Sequence, residues 1–248
     1  MRGEKKMQTT IQVSGLTKSY STLHVIRNLD LTVSRGEVFG LLGANGAGKS
    51  TAIECMLGTK KADGGSISIL GMSPQKDRRK LFQQVGVQFQ EANYPDKIRV
   101  DELCKETACL YAAPADYRKL LQQFGLREKE TNFVSELSGG QKQRLFIVLA
   151  LIPDPQVLFL DELTTGLDTK ARRSVWKSLQ ELKSRGLTIF LTSHFMDEVE
   201  ELCDRIGILK NGEFAFCGTA AEAVTLSPGK TLEEAYLWFT GEEADGDE

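Results

Sequence analysis

The stretch VFGLLGANGAGKST, Val38–Thr51, decides the fold that we expect for this chain. It opens with a continuous apolar run that ends at turn residues, which is typical of a strand buried on both faces of a parallel sheet. The remainder matches the pattern GxxxxGK[ST] and leads into a helix-like run. The stretch therefore predicts a strand, a phosphate-binding loop and a helix in succession, as in an α/β fold. The alternative interpretation is a glycine-rich turn with an exposed lysine.

The residues of this loop have the chemistry that holds the phosphates of a nucleotide. Glycines let backbone amides curl around a β-phosphate, the Lys49 ammonium reaches the β- and γ-phosphates, and the Ser50 hydroxyl is a ligand for Mg²⁺. Lys49 is therefore also a predicted catalytic residue. The complete set of predicted loop contacts is Gly43, Ala44, Asn45, Gly46, Ala47, Gly48, Lys49, Ser50 and Thr51.

Composition and charge argue against several other classes of protein. The 248 residues are 41% hydrophobic and 26% charged with a net charge of −3, so a large core is possible and no electrostatic feature suggests nucleic acid as a partner. The longest apolar run, Leu145–Ile152, is too short to span a membrane, and the basic amino end lacks the apolar stretch of a signal peptide. The five scattered cysteines are expected to be reduced thiols of a cytoplasmic protein.

Alternating and continuous apolar patterns outline the other strands. Between residues 11 and 70, short alternating stretches separated by turns predict an antiparallel sheet around the phosphate loop. Three later apolar runs, Val157–Glu162, Thr188–His194 and Arg205–Phe214, predict strands of a mainly parallel sheet. The last of these runs includes a hairpin turn at Asn211–Gly212.

Together these patterns predict a P-loop NTPase core with a mainly parallel sheet, an amino-terminal antiparallel β subdomain and an inserted helical subdomain. The domain is expected to cover residues 11–241. Mostly helical and polar sequence between Val100 and Phe133 indicates the inserted helical subdomain, at about residues 94–155. Residues 1–10 and the acidic residues 242–248 are expected to be flexible termini.

A last helix is predicted near the carboxyl end of this domain. It is expected to open at Thr231, with Glu234 completing a capping box. Leu232, Tyr236 and Phe239 are spaced to lie on one face of that helix.

Two adjacent carboxylates follow the apolar strand VLFLDE. In a nucleotide site, Asp161 would hold Mg²⁺, directly or through water, and Glu162 would orient and polarise the attacking water. Neighbouring strand residues point to opposite faces, so the two acids need not share one role. The alternative interpretation is a pair of acids that cap a helix at a strand-to-helix turn.

His194 closes another apolar strand. We expect it at the carboxyl edge of the sheet, where open α/β folds bind their ligands. There it could contact a γ-phosphate or hold the water that attacks it, and we count it as a catalytic candidate. A histidine at a strand end that only satisfies local hydrogen bonds is the alternative.

The sequence ELSGGQKQRL, which begins at Glu136, predicts a second anion site. Ser138 and Gln141 have the spacing of a capping box at the start of a helix. Gly139 and Gly140 would expose backbone amides at that helix start, which favours an anion. The phosphate loop already accounts for a nucleotide, so this second site needs a different explanation.

The order of these motifs resembles the nucleotide-binding domain of an ATP-binding cassette transporter. The residues that carry the resemblance are Tyr20, GANGAGKST, QFQE, LSGGQ, VLFLDE, TTGLD and TSH, and they span roughly residues 11 to 241. Phosphate loops occur in many ATPases and GTPases, but LSGGQ followed closely by a VLFLDE-type strand is specific to this family.

The resemblance implies a role for the second anion site. In this family two domains, here expected to be a homodimer, pair head to tail, and each ATP lies between the phosphate loop of one chain and the LSGGQ of the other. Ser138, Gly139 and Gly140, with Gln141 in the same motif, would therefore bind the γ-phosphate of the partner's ATP. Hydrolysis would remove this bridge and let the dimer open.

The resemblance also implies roles for three further residues. Tyr20 would stack on adenine, Gln90 would contact Mg²⁺ and the attacking water, and Asp168 would lie in a loop at the dimer interface. A packing tyrosine, a surface glutamine and an Asx turn are the respective alternatives. The sequence departs from the common family pattern at Leu163 and Thr169, where proline is frequent, but neither change removes a ligand group.

We interpret the chain as the ATP- and Mg²⁺-dependent ATPase subunit of a membrane transporter. A separate transmembrane permease would form the pore, and the chain would lie on the cytoplasmic face of the membrane. The stretch after His194 and the ending TLEEAYLWFTGEE most resemble ABC-2 type exporters, which include drug and antibiotic-resistance pumps. An importer subunit is one alternative, and a soluble ATPase in DNA repair or translation is another.

Overall fold

The fold is described from a computed structural model. It describes residues 8–88, 94–95, 97–162, 164 and 166–241. These residues divide into two compact units, which we call unit 1 and unit 2. Unit 1 contains the described parts of Met1–Leu81 and His194–Glu248, and unit 2 contains those of Phe82–Ser193.

Strands and helices alternate along much of the chain. The strands of the described residues are β1 (Thr9–Tyr20), β2 (Leu23–Ser34), β3 (Val38–Leu42), β4 (Gly64–Ile69), β5 (Val85–Gln88), β6 (Val157–Leu160), β7 (Thr188–Thr192), β8 (Arg205–Lys210) and β9 (Glu213–Gly218). The helices are α1 (Lys49–Met56), α2 (Arg78–Leu81), α3 (Val100–Ala108), α4 (Tyr117–Gln123), α5 (Gly139–Leu151), α6 (Thr169–Ser184), α7 (Met196–Leu202), α8 (Ala220–Leu226) and α9 (Leu232–Thr240). Single turns of 3-10 helix cover Arg127–Lys129 and Val134–Glu136.

The predicted amino-terminal antiparallel sheet is present in unit 1. Strand β1 lies in the middle and pairs antiparallel with β2 on one side and β4 on the other. Leu16 is buried after a register shift in the pairing with β2, and in the first half of the strand Ile11 and Val13 are buried while Gln12 between them faces solvent. This period-2 pattern is the sequence signal on which the prediction depended.

The phosphate loop follows β3, a strand of unit 1 whose five residues are all buried. Strand β8 pairs with β3 in parallel, and β9 returns antiparallel beside β8. The turn between β8 and β9 is the predicted Asn211–Gly212, with φ of 51° and 83°. Positive φ at both positions is typical of the two-residue turns whose twist matches that of the strands they join.

Within unit 1, the predicted last helix, α9, packs its apolar face against an apolar cluster that includes residues of β8. Leu232 is buried in a cluster that includes Ile208 of β8, and Tyr236 and Phe239 pack against that cluster. The face predicted from the sequence is therefore confirmed. Thr231 is the N-cap, and its side chain accepts a hydrogen bond from the backbone amide of the third helical residue.

The predicted capping box at this helix is wrong in one half. The Glu234 carboxylate accepts a hydrogen bond from the amide of Lys230 rather than from that of Thr231. The chain before the helix folds closely over its first turn, since a Cβ placed on Gly229 would come 2.6 Å from the Cβ of Glu234. This close approach brings the Lys230 amide within reach of the carboxylate.

Unit 2 contains the parallel strands β5, β6 and β7 in that order. All four residues of β6 and all five of β7 are buried, as the continuous apolar runs predict. In the central register, Phe159 of β6 lies between Val87 of β5 and Phe190 of β7. The carboxyl ends of these strands therefore lie at one edge, where the predicted acids follow β6.

The helices α3 and α4 confirm helical structure in the polar stretch between Val100 and Phe133. The assignment of residues 94–155 to a subdomain of their own stays a prediction, because the compact unit Phe82–Ser193 also includes three strands. Within the part of the chain that the structure describes, none of the helices combines the length and the hydropathy that crossing a bilayer requires.

Candidate nucleotide-binding and catalytic site

The phosphate loop of unit 1 needs glycine where it passes β2 and β8. Gly48, the N-cap of α1, has a φ of 107°, and a Cβ there would come 2.8 Å from both Ile26 Cδ1 and the Val25 carbonyl oxygen. At Gly43 a Cβ would come 2.6 Å from the carbonyl oxygen of Leu209. Any side chain at these two positions would displace the loop from the strands that support it.

The opposite side of the loop is open. Asn45, Gly46 and Ser50 are exposed, and a Cβ on Gly46 would meet no atom within 4 Å. Helix α1 begins at Lys49 and has no side-chain cap. Backbone amides at such a helix start attract anions, so the geometry suits a phosphate group.

The Lys49 side chain lies over the loop that precedes it. Its ammonium group donates hydrogen bonds to the carbonyl oxygens of Gly43, at 2.6 Å, and Ala44, at 3.1 Å. The residue is 8% exposed. Below it, the amide of Ala47 donates to the Ala44 carbonyl and closes a tight turn, while Thr51 is half-buried in the first turn of α1. A positive charge is thus held at the predicted position of the phosphates.

In unit 2, the acids Asp161 and Glu162 form a tight turn after β6. Asp161 Oδ1 accepts a hydrogen bond of 2.6 Å from Thr192 Oγ1 at the end of β7. The same hydroxyl oxygen accepts the amide of Glu162 at 3.0 Å. A longer bond of 3.4 Å runs from Gln143 Nε2 on α5 to the Glu162 carbonyl oxygen. These three bonds hold the backbone and one carboxylate of this turn.

Glu162 adopts a backbone conformation that is rare for its residue type. Its φ is 51°, in the left-handed region. Holding a residue other than glycine there costs about 1–3 kcal/mol, and such residues cluster at functional sites. The alternative in which the acids cap a helix is wrong, because the next described helix, α6, begins at Thr169 and is capped by Asp168.

Helix α5, which we call the signature helix because it begins within the LSGGQ motif, has the predicted capping box. Ser138 Oγ accepts the Gln141 amide at 3.3 Å, and Gln141 Oε1 accepts the Ser138 amide at 2.9 Å. Ser138 and Gly139 are exposed, and a Cβ on Gly139 would meet nothing within 4 Å. Gly140 lies closer to the protein, since a Cβ there would come 3.1 Å from Leu167. The start of this thirteen-residue helix is ordered and open to solvent.

The family model of the ABC transporters matches residues 26–165, more than half of the chain. This range includes the phosphate loop, the turn of Asp161 and Glu162, and the signature helix. The chain belongs to the ABC transporter family. It has the enzyme class of that family's ATP-binding subunits, which are ATPases.

Two curated relatives and one solved structure illustrate the similarity. The Nod factor export ATP-binding protein I of Rhizobium etli is 41% identical over 218 residues, which cover 84% of this chain and 68% of the relative. The protein of the same name from Rhizobium meliloti is 42% identical over 218 residues, with 84% and 63% covered. The solved structure of an ATP-binding subunit of an ABC transporter has a TM-score of 0.86 at 29% identity, and covers 94% of this chain and 100% of its own.

Tyr20 of this ABC ATPase ends β1 with a partly exposed ring, 41% accessible. The ammonium groups of Lys18 and Lys60 lie 5.2 and 5.6 Å from the ring centroid. Lys18 also pairs with Asp63 at 3.0 Å, and Lys60 with Glu54 at 2.7 Å. Hydrogen bonds to Glu54, and then to Tyr20, raise the pKa of Lys60. An accessible aromatic ring suits stacking on a flat base, which is the role predicted for Tyr20.

The structure describes some of the remaining residues singled out from the sequence, and others lie outside the described residues. Asp168 Oδ1 accepts the amide of Ala171, so its capping role is real, and its role at a dimer interface stays a prediction. His194 is exposed after β7. Gln90 and Leu163 lie outside the described residues. Thr169, where proline is frequent in the family, starts α6 without disrupting it.

Two of the residues predicted to hold Mg²⁺ are described, one in each unit, and each by itself offers the oxygen ligand that Mg²⁺ prefers. The Ser50 hydroxyl is exposed in the first turn of α1, and the Asp161 carboxylate is oriented by Thr192. Within the described residues, no group of three or more His, Cys, Asp or Glu side chains could by itself hold a metal ion. Few protein ligands are needed, because Mg²⁺ keeps several waters and takes one or two carboxylates together with substrate phosphates.

The sequence alone predicted no role for two residues that bond to the turn of Asp161 and Glu162, which are Thr192 and Gln143. Both are buried, at 0% and 9% exposure, and both bond to the turn that carries the acids. A signal existed for Thr192, since it is the first residue of the TSH motif, but only His194 of that motif has a predicted role. Gln143 follows the LSGGQ motif by two positions and has no feature that marks it in the sequence.

Proposed function

We propose that this ABC ATPase binds and hydrolyses Mg-ATP as a head-to-tail dimer and drives export through a separate membrane permease. The observation that carries the hydrolytic part is the turn in which Glu162 is held at a φ of 51° by Thr192 beside Asp161. An acidic residue whose strained backbone bonds to a buried hydroxyl group is the arrangement expected of a group that must be held in one position to act.

In this proposal the phosphate loop binds the nucleotide through charge and amide donors. The amides at the start of α1 take the β-phosphate, and the Lys49 ammonium exchanges its bonds to the Gly43 and Ala44 carbonyls for phosphate oxygens. The energetic cost of this exchange is small because one set of charge-assisted bonds replaces another. Adenine stacks on the exposed ring of Tyr20.

Hydrolysis then depends on water held at Glu162. The carboxylate orients a water molecule and accepts its proton, and His194 and Gln90 assist in holding the γ-phosphate and the water. Ser50, Asp161 and Gln90 would be the residues that hold Mg²⁺. When bound, the ion neutralises charge on the phosphates.

The open start of α5 supports the dimer part of the proposal. Ser138 and Gly139 of unit 2 are exposed and Gly140 is partly exposed, while the phosphate loop of the same chain belongs to unit 1. In a head-to-tail dimer the signature residues of one chain bind the γ-phosphate of ATP on its partner, and Asp168 lies at the interface. Loss of the γ-phosphate removes this bridge, so the dimer opens after hydrolysis.

Export is proposed from the names of the relatives. The proteins of Rhizobium etli and Rhizobium meliloti are named as ATP-binding proteins of Nod factor export. They support an export role at the cytoplasmic face of a membrane, with a permease that forms the pore. Isolation of the native complex in mild detergent, followed by identification of the attached membrane protein, tests this part. Recovery of an importer permease would contradict it.

Tyr20→Ala is expected to weaken ATP binding about 10- to 100-fold, because stacking of a base on an aromatic ring contributes about 1–3 kcal/mol. Tyr20→Phe should stay within about twofold of the wild type, since it keeps the ring. Calorimetric titration measures both. Inorganic triphosphate, which has no base, is the control ligand, and its affinity should be the same for all three proteins. An equal loss of ATP and triphosphate binding in Tyr20→Ala would assign the ring to packing instead.

Ser138→Arg is expected to lower ATPase activity by at least about 100-fold, since preorganised donors to a developing charge are worth about that much. ATP binding by the monomer should be nearly normal, because the phosphate loop is untouched. Ser138→Ala is the control for capping, which is worth on the order of 1 kcal/mol of stability. Thermal melts beside nucleotide titrations separate the two roles. An active Ser138→Arg variant would contradict the shared site.

A further inference from the structure

We infer that Thr192 is a positioning residue for ATP hydrolysis, which sets the Asp161 carboxylate and the Glu162 backbone through one hydroxyl group. The inference rests on the proposed function of Glu162. Thr192 contacts neither a nucleotide phosphate nor the attacking water in this scheme, and it acts only through the two acids. Thr192 is the first residue of the TSH motif, in which only His194 has a role predicted from the sequence.

The two hydrogen bonds of Thr192 use both capacities of its hydroxyl group. The hydroxyl proton goes to Asp161 Oδ1 at 2.6 Å, and a lone pair of the same oxygen takes the Glu162 amide at 3.0 Å. A hydroxyl group has one proton to donate, so the bond to Asp161 fixes its direction. One oxygen atom is thereby bonded both to the Asp161 carboxylate and to the backbone of Glu162.

The strand register places this hydroxyl beside the acids. Leu160 of β6 is the register partner of Leu191 of β7 in the parallel pairing of these strands. The next residue of each strand is therefore Asp161 on one side and Thr192 on the other. Thr192 is 0% exposed, and its β-branched side chain has few rotamers, so its oxygen is held firmly. A group on a rigid strand positions its partners better than one on a loop.

The conformation of Glu162 explains why this support is needed. With a φ of 51°, the residue lies in a region that side chains other than glycine rarely adopt. The bond from its amide to Thr192 Oγ1 is an interaction that favours this state. Without that bond, the turn can relax toward an ordinary backbone conformation, which moves the carboxylate away from its position toward the water.

The test compares four side chains at position 192 that separate the hydroxyl group from the methyl group. Thr192→Ser keeps the hydroxyl, Thr192→Val keeps the shape, and Thr192→Ala keeps neither. We expect the kcat of Thr192→Ser to be close to that of the wild type. The kcat values of Thr192→Val and Thr192→Ala should be about 10- to 100-fold lower, which is typical for the loss of a group that orients a metal-binding residue. The KM for ATP should stay within about twofold in all four proteins, because the phosphate loop binds the nucleotide.

A second measurement does not depend on activity. Amide hydrogen exchange of Glu162 is followed without nucleotide. It should be faster in Thr192→Val and Thr192→Ala than in the wild type and Thr192→Ser, because the acceptor of that amide is lost. Thr188→Val is the matched control, since Thr188 is a 0% exposed threonine on the same strand, and it should alter neither kcat nor this exchange. Circular dichroism confirms the fold, and if Val does not fold, the comparison of Ala with Ser decides alone.

Two results would overturn the inference. One is a Thr192→Val or Thr192→Ala protein with the turnover of the wild type, and the other is a folded Thr192→Ser protein as slow as Ala. Glu162→Gln is assayed in parallel to separate this failure from that of the proposed function. An inactive Glu162→Gln beside an active Thr192→Val rejects only the role of Thr192. An active Glu162→Gln rejects the proposed function and, with it, the premise of this inference.

Discussion

Glu162→Gln is expected to reduce ATP hydrolysis by about 10²–10⁴-fold, the typical contribution of a general base. Glutamine keeps nearly the same shape and can still form hydrogen bonds, but it cannot accept a proton from water or supply the charge that polarises it. ATP binding should persist, because the phosphate loop with Lys49 is unchanged. Phosphate release measures turnover, and calorimetry measures binding.

The same variant is expected to accumulate as a dimer with ATP and Mg²⁺. With the γ-phosphate intact, the contact between ATP on one chain and Ser138 of its partner persists. Light scattering behind a sizing column should show a dimer with ATP and a largely monomeric protein with ADP. Glu181→Gln on α6, the same change of charge at an exposed position, is the matched control and should keep full turnover. A monomer with ATP bound would count against the shared site, and undiminished hydrolysis would move the catalytic role away from Glu162.

Lys49→Ala is expected to abolish hydrolysis and to weaken ATP binding roughly 10- to 100-fold, since hydrogen bonds to charged groups contribute about 1.5–3 kcal/mol. The buried ammonium group, which donates to the Gly43 and Ala44 carbonyls in this structure, is the cation closest to the predicted phosphates within the described loop. Lys177→Ala, an exposed lysine on α6, is the control and should bind ATP normally. Ordinary turnover by Lys49→Ala would reject the assignment of the phosphate loop.

A mixture of two inactive proteins tests how the site is assembled. In a head-to-tail dimer of Lys49→Ala with Ser138→Arg, one composite site carries both changes and the other carries neither. At equal concentrations half of the dimers are mixed, so roughly a quarter of the wild-type activity should return if the intact site turns over by itself. A site formed within one chain predicts no recovery. The same proteins assayed separately are the controls.

The parts of the fold that the sequence predicted well depend on local physics. The alternation of β1 and β2, the buried runs of β3 and β6, and the Asn211–Gly212 turn each follow from a side-chain period or from the φ preferences of a few residues. The capping box of Ser138 and Gln141 likewise needs only residues three positions apart. It formed as predicted because both partners lie within the same helical turn.

The half-wrong capping box at α9 shows the limit of this reasoning. Thr231 and Glu234 have the required spacing, and the Thr231 half formed. The Glu234 carboxylate had two amides within reach, and the close fold of the chain at Gly229 favoured Lys230. Spacing within a helix predicts the available donors and acceptors, but the path of the preceding chain selects between them.

The sequence alone determined the chemistry of this protein: a phosphate loop, two acids after a buried strand and a capped glycine-containing helix start are each written in contiguous residues. The tertiary structure alone decided how the acids are held. Thr192 lies 31 positions from Asp161 in the chain and 2.6 Å from it in space, because the parallel register of β6 and β7 brings the two strand ends together. The left-handed conformation of Glu162 also depends on the tertiary structure, since the bond from its amide to Thr192 on the neighbouring strand favours a state that its own side chain disfavours.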